Sequence, residues 1–182
     1  MITPENRKKL LNLAKSAVSS YLNKIDLEID EALKNNFSDK QGVFVTLTKN
    51  DQLRGCIGFT EPIFPLYEAI VKAAKSAAFS DPRFMPLQQE EFNEIKFEIS
   101  VLSVPELIED DYLNNINIGE DGLIINNPSG SGLLLPQVFS RDEYDPKKAL
   151  ETTCTKAMLP TDVWKDEETK VYKFQAEIFS EH

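Results

Sequence analysis

Histidine is almost missing from this chain: the only one among 182 residues is His182, the last. A terminal residue frays unless something ties it down, so His182 is expected to take no part in a site. That excludes a Cys-His dyad or a Ser-His-Asp arrangement within one chain and leaves a carboxylate, a lysine or water as the available base. Cysteine is nearly as scarce. The two thiols, Cys56 and Cys154, make no disulfide framework, and without a usable histidine they cannot complete the usual zinc ligand set. No metal and no cofactor are therefore expected, and a reducing cytoplasm is the natural compartment.

Long apolar runs are absent as well. The opening Met1-Ile2-Thr3-Pro4-Glu5-Asn6-Arg7-Lys8-Lys9 reaches no hydrophobic signal segment. No later stretch approaches the roughly 18 apolar residues of a membrane span. Positive charge is in deficit, with 20 Lys and Arg against 30 Asp and Glu and a formal net charge of −10. Long-range forces would thus repel a nucleic-acid backbone or an anionic membrane surface, and neither is expected as a partner. No Gly-rich phosphate loop or dinucleotide fingerprint follows a strand.

What remains is an ordinary globular balance, 41% hydrophobic and 27% charged, which excludes a disordered or fibrous chain. The length suits a single domain over residues 1–182, or two lobes sharing a core. Thr3, Pro4 and Glu5 predict a capped helix start, with Leu10, Leu13, Ala14, Ala17 and Tyr21 at helical spacing behind it. The polar run from Lys34 to Gly42 reads as a connection. Residues 43–59 read as a hairpin turning at Lys49-Asn50-Asp51-Gln52. A helix follows from Pro65, with Leu66, Ile70, Ala73, Ala74 and Ala77 on one side, and Asp81-Pro82 stops it.

Ile95, Phe97, Ile99 and Val101 alternate as in a half-buried strand. After an acidic, Asn-rich connection, residues 122–125 and 132–135 form a second hairpin around the turn composition of residues 126–131. Asp145 and Pro146 open a further helix through Ala149, Leu150, Thr153, Cys154 and Ala157, ended by Pro160. The tail from Lys170 to Phe179 alternates, with Tyr172, Phe174, Ala176 and Ile178 facing one way, as one closing strand. This order lacks the strand-helix alternation of a parallel sheet and predicts an α+β fold with mostly antiparallel pairing.

Chemistry concentrates in Leu53-Arg54-Gly55-Cys56-Ile57-Gly58. Arg54 and Cys56, two apart on a strand, should leave the same face, while Gly55 and Gly58 leave room for another backbone or a ligand. A neighbouring guanidinium favours the thiolate of a group that otherwise titrates near about 8.5. Cys56 is thus the candidate nucleophile or redox thiol and Arg54 its activator or anion binder. The plain alternative is that Cys56 packs as a small hydrophobe and the glycines mark a bulge. Cys154, at core spacing, reads as packing. Arg83, held by the Asp81-Pro82 turn, is a candidate carboxylate or phosphate ligand. Gln137, after Pro136, could aim its amide into a cleft as a ligand-binding group; a simple strand end is the plainer reading.

Five segments in order, Gly42-Val43-Phe44-Val45-Thr46-Leu47, Leu53-Arg54-Gly55-Cys56-Ile57-Gly58, Asp81-Pro82-Arg83-Phe84, Gly132-Leu133-Leu134-Leu135-Pro136-Gln137-Val138 and Cys154-Thr155-Lys156-Ala157, resemble the AMMECR-type domain. That family is named for a human AMME-syndrome candidate protein and is known in microbes as system protein A of the AmmeMemoRadiSam set. The resemblance implies two lobes with a cleft lined by the Arg-Gly-Cys motif, and partnership with Memo-type and radical SAM proteins in a redox or radical pathway. It supplies no substrate. Two functions follow: a thiol-dependent enzyme acting on a small molecule, or a non-catalytic binding or scaffold protein for a small-molecule or peptide ligand or a partner enzyme. The chain departs from the family pattern at Ser131, where an arginine is expected, and at Met158, where a glycine is usual.

Overall fold

The computed structural model describes residues 2–139 and 143–181; the terminal His182 lies outside the described residues. The elements run α1 (Pro4–Asn23), α2 (Glu31–Asn36), β1 (Val43–Lys49), β2 (Gln52–Phe59), α3 (Leu66–Phe79), β3 (Ile95–Leu102), β4 (Glu106–Ile108) and α4 (Tyr112–Asn115). They continue with β5 (Gly122–Asn127), β6 (Gly130–Leu134), α5 (Pro146–Lys156), β7 (Lys170–Phe174) and β8 (Ala176–Ser180). Helices and two four-stranded antiparallel sheets make the fold α+β, one sheet ordered β2-β1-β3-β8 and the other β4-β7-β5-β6. The chain divides into two units, one holding the residues up to Leu102 and those from Glu177 on, the other Ser103–Ala176.

In the first unit, the Thr3 hydroxyl accepts the Asn6 amide at 3.4 Å and α1 starts at Pro4. Its inner stripe runs through Leu10, Leu13, Ala14, Ala17 and Val18. Tyr21, expected on that stripe, is exposed and stacks on Phe79 instead. The hairpin β1–β2 turns on Asn50 and Asp51, both at positive φ (51° and 59°), as two-residue turns between twisted strands require. Val43, Val45 and Leu47 point into one core with Phe97 and Ile99 of β3 and the alanine-rich side of α3. Helix α2 falls where the sequence reads as a connection: it buries no residue, so it leaves no periodic signal, and Asp30 caps it by accepting the Ala32 amide. The Glu177 carboxylate accepts the Ile2 amide at 2.9 and 3.0 Å and the Arg7 guanidinium at 2.9 Å.

The second unit packs α5 on the sheet β4-β7-β5-β6 through Leu123, Ile125, Leu150, Cys154 and Val171. Its hairpin turns more tightly than expected, on Pro128 and Ser129 alone, because Asn127 pairs with Gly130 and Asn126 with Ser131. The tail is not one strand. It breaks at Gln175, whose amide bonds the Ser103 hydroxyl and whose carbonyl accepts the Ser103 amide. Strand β7 belongs to the second sheet and β8 to the first. The buried set is Val171, Phe174 and Phe179, with Val171 in the core of the second unit and Phe179 in that of the first.

Candidate functional site

Strand β2 is the edge of its sheet and carries a bulge. Leu53 pairs with Thr48 and Gly55 with Leu47, so Arg54 has no partner across the ladder. A bulge re-aims the side chain it carries. The Arg54 guanidinium meets Glu91 twice, Nε to Oε1 at 3.2 Å and Nη2 to Oε2 at 2.9 Å, and Nη2 also donates to the Met85 carbonyl at 3.0 Å. Phe84 lies under it, 5.9 Å from ring centre to guanidinium carbon. Glu91 is further approached by Lys49 at 3.4 Å. The Arg54 hydrogen bonds and charge hold the Glu91 carboxyl down at about 2 against partial burial. The one Arg54 atom left over, Nη1, is buried without a hydrogen-bond acceptor among the described residues.

Cys56 is half-buried. It sits opposite Thr46, whose hydroxyl donates to Sγ at 3.2 Å. The main chain of Cys56 is gripped by the turn that ends α3. Its amide donates to Asp81 Oδ2 at 2.9 Å, and its carbonyl accepts Arg83 Nη2 at 3.3 Å. Asp81 is buried, and it is matched by Arg83 through Nε at 2.9 Å and Nη2 at 2.7 Å. The Arg83 bonds and the Cys56 amide hold the Asp81 carboxyl well below the usual carboxylate range. Arg83 is raised in turn, chiefly by its bond to Asp81. Asp81, expected only as a helix stop, therefore ties two of the predicted site residues together.

The space beside the two strand glycines is filled by the protein itself. A Cβ on Gly55 would stand 2.1 Å from the Ala77 carbonyl oxygen of α3, and one on Gly58 2.2 Å from the Val43 carbonyl oxygen and 2.6 Å from the Phe44 ring. Gln137 lies in another part of the chain, exposed on the short turn Pro136–Val138 of the second unit. Cys154 is fully buried in that unit's core, where burial pushes its thiol up. Sequence reasoning missed Glu91 and Thr46. Glu91 sits in a polar turn with no motif to mark it, whereas Thr46 could have been found from the hairpin register, which places it opposite Cys56.

Residues 11–179 match the family described as AMMECR1. The chain belongs to the AMMECR1 family. Among AMMECR1-family relatives, a protein of Thermococcus onnurineus is 48% identical over 181 residues, covering 94% of this chain and 88% of its own length. One from Methanothermobacter thermautotrophicus is 43% identical over 185 residues, covering 99% and 96%. The crystal structure of an uncharacterized protein from Pyrococcus horikoshii, 45% identical, superposes with a TM-score of 0.89 over 100% of this chain and 94% of that one.

The two departures from the AMMECR-type pattern take on physical meaning here. Met158, where the resemblance leads one to expect glycine, follows the Ala157 cap of α5 and adopts φ 59° with 93% of its surface exposed. A left-handed helix end favours glycine because it has no Cβ to clash. Ser131 lies on β6 opposite Asn126, a neutral pair.

Proposed function

We propose that this AMMECR1-family protein is a binding module without acid-base chemistry of its own, whose β2 segment presents Cys56 to a small-molecule or peptide ligand. One observation supports the reading above others. The charged groups flanking the thiol are already matched to each other, Arg54 to Glu91 and Arg83 to Asp81. A general base works best with a pKa near the working pH, and both carboxyls are held far below it. An anionic substrate would first have to displace a carboxylate from its arginine. The Memo-type and radical SAM proteins implied by the family resemblance are the partner candidates, with the cytoplasm as compartment. Among the described residues no helix is long and apolar enough to cross a membrane.

The rival reading, a thiol-dependent enzyme, draws on the half-buried Cys56 thiol, whose Sγ accepts the Thr46 hydroxyl at 3.2 Å. Alkylation of Cys56 against pH in a Cys154→Ser background separates the two. The binding reading expects slow labelling at neutral pH that is unchanged in Arg54→Ala. Rapid neutral-pH labelling, lost in Arg54→Ala, would overturn it in favour of an activated thiol.

A further inference from the structure

The second unit carries a polar cavity of about 200 Å³ that has no part in the β2 site. Asp121, 2% exposed, lines it together with the buried Phe174. One carboxylate oxygen of Asp121, Oδ2, accepts the Asn117 amide at 2.9 Å. Among the described residues the other, Oδ1, has a single long contact, 3.5 Å from the Gln175 side-chain nitrogen Nε2. A carboxylate offers about four acceptor positions, so Oδ1 is left largely unused. Among the described residues no basic side chain pairs with it: Lys173, which lines the same cavity, donates to the Asn115 carbonyl at 3.0 Å. Burying a carboxylate without a counter-charge is costly, and a cation entering the cavity would relieve that cost.

The wall is of mixed sign. Lys173 on β7 and Glu106 on β4 are cross-strand partners, and both face the cavity. We infer that this cavity is a binding site for a free α-amino acid, whose ammonium group pairs with Asp121 and whose carboxylate pairs with Lys173. The volume sets the size: ligand pockets usually span about 300–1,000 Å³, so a cavity of about 200 Å³ suits a compact zwitterion and excludes a nucleotide. The Gln175 amide and the Ser103 hydroxyl add neutral groups at the rim. A bare divalent cation fits poorly, since no cluster of three or more acidic, histidine or cysteine side chains able to hold a metal converges among the described residues. This inference is independent of the function proposed for β2.

The test is isothermal titration of the full chain with each of the common L-α-amino acids, followed by the N-acetyl and carboxamide derivatives of any that bind. At least one amino acid should bind saturably. Acetylating its nitrogen or amidating its carboxylate should each weaken binding by about tenfold or more, the scale of one lost charged hydrogen bond. Asp121→Asn should weaken binding to the same degree, and Lys173→Met should remove the preference for the free acid over its amide. If Asp121→Asn fails to fold, the derivatives and Lys173→Met decide. The inference is overturned if no amino acid binds, if binding ignores acetylation, if Asp121→Asn folds and binds normally, or if calcium or magnesium alone occupies the site.

Discussion

Both units lay a helix on a four-stranded antiparallel sheet, and both seat the C-terminal end of that helix against a strand glycine. In the first unit Gly55 faces the Ala77 carbonyl, and in the second Gly132 faces the Ala157 amide, where an added Cβ would stand 2.1 and 2.6 Å from backbone atoms. The packing device is shared; what surrounds it is not. Next to Gly55 the helix end leads into Asp81, which reaches back to the Cys56 amide, and a bulge sends Arg54 to Glu91. Next to Gly132 the helix ends in an exposed, left-handed Met158, with no such polar frame among the described residues. A glycine in a strand is thus a statement about packing, and it is the matched polar groups around Gly55 that set the candidate site apart.

Replacing the glycines tests this most directly. Gly55→Ala forces a Cβ into backbone and should cost about 3 kcal/mol or more, and Gly132→Ala about 2 kcal/mol, both read from denaturant midpoints at constant m. A negligible cost at either glycine would break the parallel between the units. The ion pairs come next. Glu91 titrates at about 2 in the folded protein against an ordinary 4.5, so its contribution is fully present above pH 4.5 and is lost as pH falls toward 2. Glu91→Gln should destabilise by about 2 kcal/mol at neutral pH and flatten the acid limb of the stability profile, because Arg54 is left buried without its partner. An unchanged acid limb would show that the pair is not what distinguishes the first unit.

The thiols sharpen the contrast further. Cys154→Ser puts a hydroxyl into an apolar core and should cost about 1–2 kcal/mol, whereas Cys56→Ser, beside the Thr46 hydroxyl, should cost about 0.5 kcal/mol or less. In the native protein Cys154 should resist alkylation until unfolding exposes it. One effect has the opposite sign: Met158→Gly should stabilise by about 1 kcal/mol, seen as a raised Tm, since glycine occupies the left-handed region without strain.

The alternating strand over residues 95–101 and the helical stripes of Leu66 to Ala77 and Ala149 to Ala157 were legible because each buries one face against a continuous core. The tail was misread because alternation tells a strand from a helix but carries no mark of which sheet the strand joins; only the Ser103–Gln175 pairing, across most of a unit of sequence, makes that break. In the site, Cys56, Arg54 and Arg83 stood out by residue type. Their partners did not. Glu91 and Asp121 are single acidic residues in a chain with 30 of them, and what sets them apart is a burial and a neighbour supplied by distant segments. The bulge at Arg54 was equally silent, since Leu53-Arg54-Gly55 alternates without visible fault.

The clasp between Glu177 and the Ile2 amide also orders events as the chain is made. The first unit needs its last strand, β8, and the carboxylate that follows Ala176 to hold down its own beginning, so it closes only once that strand has been made. The second unit is one uninterrupted stretch, complete before β8 emerges. The second unit can therefore close before the first, and removal of β8 would leave the first unit, not the second, unfinished.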